Sequence, residues 1–197
     1  MNINLSKNTP SSDAPKRSFR AEALETIRFI LIALAVVIPI RLYIAQPFIV
    51  SGASMDPTFA SGQYLIVDEI SYRVTDPVRG DVVIFKYPND LKKYFIKRVI
   101  GLPGETLIIN EEGKVFIKGV GQESLTILNE PYVKFTKSDA IEITLADDEY
   151  FMMGDNRAGS YDSRVWGAVK RDLFIGRALV RLFPVTTVDL LPGQFRQ

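Results

Sequence analysis

The chain has 197 residues, of which 47% are hydrophobic and 24% charged, and its formal net charge is +1. This composition is ordinary for a folded protein, and the balanced charge gives no sign of a nucleic-acid-binding surface. The chain has no histidine and no cysteine, which excludes a Ser-His-Asp triad, a thiol nucleophile, a zinc-thiolate site and disulfides.

The N-terminal part of the chain combines a polar tail with an apolar run. Residues 1–22 are rich in Ser, Asn, Pro and Lys, which predicts a disordered tail. The apolar run from Phe29 to Ile40, together with its flanks, predicts one transmembrane helix over residues 23–46. A cleaved signal peptide and a buried core helix are the alternatives. Basic residues before the run place the N-terminus in the cytoplasm and the rest of the chain outside the membrane.

Residues 47–197 contain short segments rich in Val, Ile, Phe and Tyr, separated by Gly, Pro, Asn and Asp. This pattern is typical of strands joined by turns, so it predicts a mainly β domain with antiparallel sheets. Two of the segments flank Gly113 and predict a hairpin. Residues about 105–149 are more polar, and we expect them to form a small inserted β subdomain.

The first segment with potential chemistry is SGASMDPT, Ser51–Thr58. Gly52 and Pro57 on either side of Ser54 predict a tight turn. Such a turn can present a serine hydroxyl as a nucleophile beside a backbone N–H that binds an oxyanion. A plain Ser-rich loop is the alternative interpretation.

The second is YFIKRVIGLPGE, Tyr94–Glu105. Strand alternation places Phe95, Lys97 and Val99 on one face. A lysine among apolar neighbours loses hydration of its charged form, so its pKa falls and the neutral amine can act as a general base. In the alternative interpretation, Lys97 faces solvent on an edge strand.

The third is GDNRAGSYDSR, Gly154–Arg164, a dense polar loop. Metal binding by Asp155 and Asp162 is one interpretation, and a simple surface turn is another. Arg157 and Arg164 oppose a bound cation and favour internal ion pairs. We therefore predict no metal and no cofactor.

The combination of these segments favours a Ser/Lys dyad, since neither imidazole nor thiol chemistry is available. In this hypothesis Lys97 takes the proton from Ser54 as Ser54 attacks a carbonyl, and later gives it to the leaving amine. Ser160 is expected to hydrogen-bond the Lys97 amine and orient it.

In this order, the segments resemble those of the bacterial type I signal peptidases. SGASMDPT resembles the nucleophile box of that family, RGDVVIF its structural strand box, KRVIGLPGE its lysine box and GDNRAGSYDSR its last box. The resemblance covers roughly residues 25–180. It implies a membrane-anchored serine endopeptidase that removes signal peptides from exported preproteins. It also implies a β-rich catalytic core with a smaller inserted β subdomain.

By position in these boxes, Ser54 resembles the family's nucleophile and Lys97 its general base. Ser160 resembles the hydroxyl that holds the lysine. The resemblance also implies that Asp162 and Arg164 form an ion pair that supports the site.

The chain departs from some members of the family at Gly52, where those members have a serine whose hydroxyl completes the oxyanion hole. The Ser54 backbone N–H and a second backbone donor are expected to form the hole here, with Gly52 supporting the turn. Such peptidases cut after small residues at positions −1 and −3 of an extended peptide. Met55, Phe59 and Phe95 are predicted to line the apolar pockets for these residues.

The partners implied are preprotein signal peptides and the lipid bilayer, with a monomeric enzyme and no nucleic acid. One alternative is a related Ser/Lys processing peptidase with a narrower substrate set. Another is a non-catalytic, membrane-anchored β module that binds a partner. The dyad requires the Ser54 hydroxyl and the Lys97 amine to lie within hydrogen-bond reach, whereas the binding module does not.

Overall fold

The computed structural model of the chain describes residues 19–39, 45–137 and 139–195. The chain divides into two compact units, residues 1–39 and 40–197. The described part of the first unit is a single helix, and the described part of the second contains all the strands.

The first unit contains α1, Phe19–Pro39. The helix begins earlier than the predicted boundary at residue 23, and residues 1–18 of the predicted tail lie outside the described residues. Residues 45 and 46, predicted to end this helix, instead belong to a strand, because their backbone pairs with that of residues 67 and 68. In the three described ranges, no helix combines the length and the apolar character that crossing a membrane requires.

The described part of the second unit is built mainly of short strands with two short α-helices. Further single-turn 3-10 helices lie at Arg171–Leu173 and Val185–Thr187. In chain order the elements are β1 (Ala45–Ile49), β2 (Tyr64–Asp68), α2 (Ser71–Val74), β3 (Val82–Tyr87), β4 (Asp90–Gly101), β5 (Thr106–Ile109), β6 (Val115–Lys118), β7 (Leu125–Ile127), β8 (Ile141–Thr144), β9 (Glu149–Met153), α3 (Ser163–Trp166), β10 (Val169–Lys170), β11 (Phe174–Phe183) and β12 (Asp189–Leu190).

The strands form two sheets in which neighbouring strands are antiparallel. The larger sheet has the order β1-β2-β11-β3-β4-β9-β10, and β12 pairs with β11. The smaller sheet has the order β7-β6-β5-β8. The mainly β, antiparallel architecture predicted from the sequence is therefore confirmed. The smaller sheet lies within the more polar stretch at residues 105–149.

The predicted hairpin around Gly113 joins β5 and β6. Gly113 has a φ of +77°, and its N–H donates a 2.9 Å hydrogen bond to the carbonyl oxygen of Asn110. A Cβ at Gly113 would come within 2.6 Å of the Lys137 carbonyl oxygen. Both the left-handed backbone and the close approach therefore require glycine at this position.

Strand β4 lies inside the larger sheet, paired with β3 on one side and β9 on the other. Lys97 is opposite Val83 and only 4% exposed, so the alternative of a solvent-facing edge lysine is wrong. Phe95 and Val99 occupy the same face of β4, as the alternation predicts. They pack in one cluster with Val83, Phe85, Tyr150, Met152 and Phe174.

Met55 and Phe59 follow Ser54 closely in the chain, but they belong to the hydrophobic core. Met55 is 1% exposed and Phe59 0% exposed. They pack in a cluster with Val50, Leu65, Val67, Val82, Ile84 and Ala178. The turn that carries Ser54 therefore directs these two side chains inward, where they support it, and their role as substrate-pocket residues stays a prediction.

Because Phe59 is fully buried, Phe59→Ala should lower the free energy of unfolding by about 3–5 kcal/mol. The reason is the lost transfer of the ring from water and the cavity left behind. Urea denaturation followed by circular dichroism measures the change. Phe135→Ala, at a side chain that is 52% exposed, is the matched control and should leave stability nearly unchanged. Equal stability of the two variants would contradict the core assignment.

Candidate active site

Ser54 lies in a turn that the structure holds at both ends. Gly52 has a φ of +91°, a conformation that favours glycine, and its N–H donates to Ser61 Oγ over 3.3 Å. Beyond Ser54, the Phe59 N–H donates a 2.9 Å bond to the Met55 carbonyl oxygen. Ser54 itself is half-buried. The turn therefore presents the Ser54 hydroxyl at the surface of a well-packed segment.

Lys97 reaches this hydroxyl from strand β4. Its Nζ donates a 2.6 Å hydrogen bond to Ser54 Oγ and a 3.1 Å bond to the Ile96 carbonyl oxygen. The amine also lies 5.3 Å from the centroid of the Phe95 ring. The fold thus brings together two side chains that are 43 residues apart in the sequence.

Burial controls the charge of the Lys97 amine. Loss of hydration lowers the pKa of Lys97 from 10.5 to about 8, although the carboxylates of Asp162 and Asp155 act in the opposite direction. A lysine with this pKa is partly neutral at mildly alkaline pH and can then accept a proton. The geometry and the pKa together suit a nucleophile and its general base.

Asp162 and Arg164 form the ion pair expected from the sequence. Arg164 Nε donates to Asp162 Oδ1 over 2.8 Å and Arg164 Nη2 donates to Asp162 Oδ2 over 2.9 Å. The Gly154 N–H adds a 3.1 Å bond to Asp162 Oδ2. Burial alone would raise the pKa of Asp162, but the hydrogen bonds and charge of Arg164 outweigh it and keep that pKa low. Asp162 is therefore a buried, ionised group at neutral pH.

Ser160 lies beside this pair without making the hydrogen bond expected of it. Its Oγ is buried and has no hydrogen-bond partner among the described residues, although it lies near enough to Asp162 to help lower the pKa of that carboxyl. The Lys97 amine carries three N–H donors, and two of them already point to Ser54 and Ile96. Orientation of Lys97 by Ser160 stays a prediction.

Gly154 permits the close packing of this region. A Cβ at Gly154 would overlap both Ser160 Oγ and the Ser54 carbonyl oxygen. Any larger residue would therefore push the last polar loop away from the turn that carries Ser54.

A groove of about 110 Å³ lies beside Ser54. Phe95, predicted to contact substrate, lines this groove, whereas Met55 and Phe59 do not. Further apolar walls come from residues 48–50, Leu65, Ile84, Tyr94 and Ile96. The groove is partly open to solvent and lined mainly by apolar side chains, so it is suited to a largely apolar chain.

A buried ion pair that sequence reasoning missed lies behind the site. Arg98 donates from Nε to Asp155 Oδ1 over 2.8 Å and from Nη2 to Asp155 Oδ2 over 2.6 Å, and both side chains are almost fully buried. Thr58 Oγ1 also donates to Asp155, over 2.5 Å. The pair thereby ties strand β4 to the turn that carries Ser54. The sequence did contain a signal for this pair. Arg98 lies on the apolar face of β4 that is opposite to Lys97, and a buried arginine requires a carboxylate partner.

A second missed group connects the segment after β7 to the same loop. Both terminal nitrogens of Arg157 donate hydrogen bonds to the Glu130 carboxylate. The Nε of Arg157 donates to the Gly154 carbonyl oxygen over 3.1 Å. The Tyr132 hydroxyl donates to Glu130, and its ring lies 3.9 Å from the Arg98 guanidinium carbon. Burial alone would lower the pKa of Arg157, but the Glu130 carboxylate outweighs it and raises that pKa.

The arginine contacts also bear on the metal interpretation of the last polar loop. The carboxylates of Asp155 and Asp162 are directed at Arg98 and Arg164. Across the described ranges, no group of three or more His, Cys, Asp or Glu side chains is arranged to hold a metal ion.

Comparison with known proteins gives a consistent set of relatives. A family model described as "Signal peptidase, peptidase S26" matches residues 23–183. Probable signal peptidase I-2 of Synechocystis sp. is 37% identical over 174 residues, which cover 85% of this chain and 77% of the relative. Signal peptidase I of Leptolyngbya laminosa is 36% identical over 189 residues, covering 92% of this chain and 89% of the relative. The crystal structure of a signal peptidase I from Enterococcus faecalis V583 aligns with a TM-score of 0.44 and 29% identity, over 53% of this chain and 97% of that chain.

The burial of Lys97 makes a prediction about stability. Because the unfolded chain holds this proton up to about pH 10.5 and the folded chain releases it near pH 8, protonation opposes folding at pH 7. We expect Lys97→Met to raise the free energy of unfolding at pH 7 by up to about 3 kcal/mol. The gain should be complete below pH 8 and should disappear as the pH rises to 10.5.

Urea denaturation at pH 7 and pH 10.5 measures this difference. Lys118→Met, at an exposed lysine of β6, is the matched control and should change stability little at either pH. A loss of stability at pH 7 in Lys97→Met would contradict the assignment of Lys97 as a desolvated amine.

Proposed function

The chain belongs to the signal peptidases of peptidase family S26, and from this membership we propose that Ser54 and Lys97 are the catalytic pair with which it cleaves signal peptides from preproteins. The observation that supports this assignment most directly is the 2.6 Å contact between Lys97 Nζ and Ser54 Oγ, at an amine whose pKa is lowered to about 8. A binding module would need neither the contact nor the lowered pKa.

In the proposed reaction, neutral Lys97 takes the proton of the Ser54 hydroxyl as Ser54 Oγ attacks the scissile carbonyl carbon. The C–N bond then breaks, and the protonated Lys97 gives that proton to the leaving amine, which becomes the new N-terminus of the mature protein. The acyl group left on Ser54 is removed by water, whose proton Lys97 accepts and returns to Ser54 Oγ. The lysine starts and ends each cycle neutral.

The oxyanion formed in this reaction requires a hydrogen-bond donor near Ser54 Oγ. The backbone N–H of Ser54 makes no hydrogen bond to another described residue, so it is free to serve as this donor. We assign it that role, with Gly52 supporting the turn, and Asp162, Arg164 and Ser160 supporting Lys97.

The substrate is proposed to bind as an extended peptide in the groove beside Ser54, with small residues at positions −1 and −3. The groove has mainly apolar walls, which an extended chain would meet with the side chains of alternate residues. Phe95 is the one of the three predicted pocket residues that lines it.

We further propose that residues 23–46 include a single-pass anchor, with the N-terminus in the cytoplasm and residues 47–197 outside the membrane. The apolar run from Phe29 to Ile40 and the basic residues before it support this topology. The bilayer would then be a partner of the enzyme, and we propose that the enzyme acts as a monomer.

Cleavage of a model preprotein with an Ala-x-Ala site, in detergent or lipid, tests the catalytic pair. Ser54→Ala and Lys97→Met should each lower kcat by about 10³-fold or more, because each removes one half of a nucleophile–base unit. Product is quantified by gel electrophoresis, and circular dichroism checks folding.

The matched controls are Ser124→Ala and Lys118→Met, at exposed positions of the smaller sheet region, and both should cleave like wild type. Full activity in a folded Ser54→Ala or Lys97→Met variant would overturn the proposed pair. Failure of the folded wild type to cleave any such preprotein would overturn the proposed substrate.

The lowered pKa of Lys97 predicts the pH dependence of cleavage. Only the neutral amine can accept the Ser54 proton, so kcat should rise as the pH rises through about 8 and become constant above that value. The rate is measured from pH 6 to pH 10, with the far-ultraviolet spectrum recorded at each pH. A rate that is constant over this range would contradict the role of Lys97 as the titrating base.

A further inference from the structure

Asn156 makes an unusual set of contacts with the turn that carries Ser54. Its backbone N–H donates to the Ser54 carbonyl oxygen over 3.1 Å. Its side-chain Nδ2 donates to the Ala53 carbonyl oxygen, also over 3.1 Å. One residue of the last polar loop therefore holds the carbonyl groups on both sides of the proposed nucleophile.

The bond to Ala53 matters because of the geometry of the peptide unit. A trans peptide is planar, and its C=O and N–H point in opposite directions. The Ala53 carbonyl oxygen also accepts a 3.2 Å hydrogen bond from the Asp56 N–H. The bonds from Asn156 and Asp56 together hold this carbonyl in place, so the Ser54 N–H points in the opposite direction, away from Asn156. That N–H has no acceptor among the described residues, as expected of a donor kept for an oxyanion.

The orientation of the Asn156 amide is itself determined by a second contact. Asn156 Oδ1 accepts a 3.0 Å hydrogen bond from the Gly159 N–H, so the NH2 group must be the end that faces Ala53. A Cβ at Gly159 would lie 2.7 Å from Asn156 Nδ2, which means that Gly159 leaves the space this amide occupies.

We propose that Asn156 is a positioning residue that aims the Ser54 backbone N–H at the oxyanion of the transition state. The inference rests on the proposed function, and it adds a residue to which no role was assigned from the sequence. Asn156 acts through the Ala53–Ser54 peptide and does not touch substrate. Its effect should therefore fall on the chemical step and leave both substrate affinity and the titration of Lys97 unchanged.

Steady-state cleavage of the Ala-x-Ala preprotein by the full-length enzyme tests this role. Asn156→Ala should lower kcat roughly 10- to 100-fold, less than the roughly 10²- to 10³-fold cost of deleting an oxyanion donor. The Ser54 N–H remains in this variant, but only the Asp56 N–H still holds the Ala53 carbonyl that orients it. KM should stay within about twofold of wild type, and the pH at which kcat is half-maximal should stay the same.

Asn156→Asp separates this role from simple support of the loop. Aspartate keeps the acceptor for the Gly159 N–H but replaces the donor to Ala53 with an acceptor, which repels the Ala53 carbonyl oxygen. Its kcat, measured on the alkaline plateau, should be at least as low as that of Asn156→Ala. Recovery of wild-type kcat in Asn156→Asp would show that only loop support matters and would overturn the inference.

The matched control is Asn110→Ala, because Asn110 also caps a turn through its side-chain oxygen but lies in the β5–β6 hairpin. It should cleave like wild type. Normal kcat in Asn156→Ala would overturn the inference alone, whereas a folded wild type that cleaves nothing would overturn the proposed function and the inference with it. If Asn156→Ala does not fold, Asn156→Asp decides, and if neither folds, Asn156 is a folding residue and the inference is overturned.

Discussion

The placement of one lysine amine in a dry environment is the constraint on which this site depends. The Lys97 amine contacts the Ser54 hydroxyl and lies near the Phe95 ring, on a strand that is paired on both sides. An exposed lysine stays protonated at neutral pH and cannot accept a proton. The internal position of β4 is therefore a chemical requirement of the site as well as a feature of the fold, and the turn around Ser54 must be brought to it.

The buried arginines solve a problem that this lysine creates. Carboxylates stabilise a protonated amine, and a direct ion pair between Lys97 and Asp155 or Asp162 would raise its pKa far above neutrality. The structure instead directs Asp155 to Arg98 and Asp162 to Arg164. The two carboxylates can then organise the loop and the turn through hydrogen bonds while raising the pKa of Lys97 only in part.

Two parts of this arrangement could be predicted from the sequence. Strand alternation placed Lys97 correctly between apolar residues, and the resemblance to the signal peptidases implied the Asp162–Arg164 pair. Sequence reasoning missed contacts between distant segments, such as Arg98 with Asp155 and Glu130 with Arg157, because pairing of buried charges depends on the tertiary fold. The inward direction of Met55 could not be predicted for a related reason: closeness to Ser54 in the chain does not determine which side of a turn a side chain occupies.

The ion pair between Glu130 and Arg157 limits where residues can be inserted into the smaller sheet, and where this sheet can be replaced by that of a related chain. The outer turn of the smaller sheet at residues 120–123 is exposed, so insertions there are expected to be tolerated. The segment from Glu130 to Tyr132 is different, because removing it would leave Arg157 without its carboxylate and Arg98 without its aromatic cover. Chimeras between related chains should therefore place their junctions before residue 128, so that this segment stays with its own arginines.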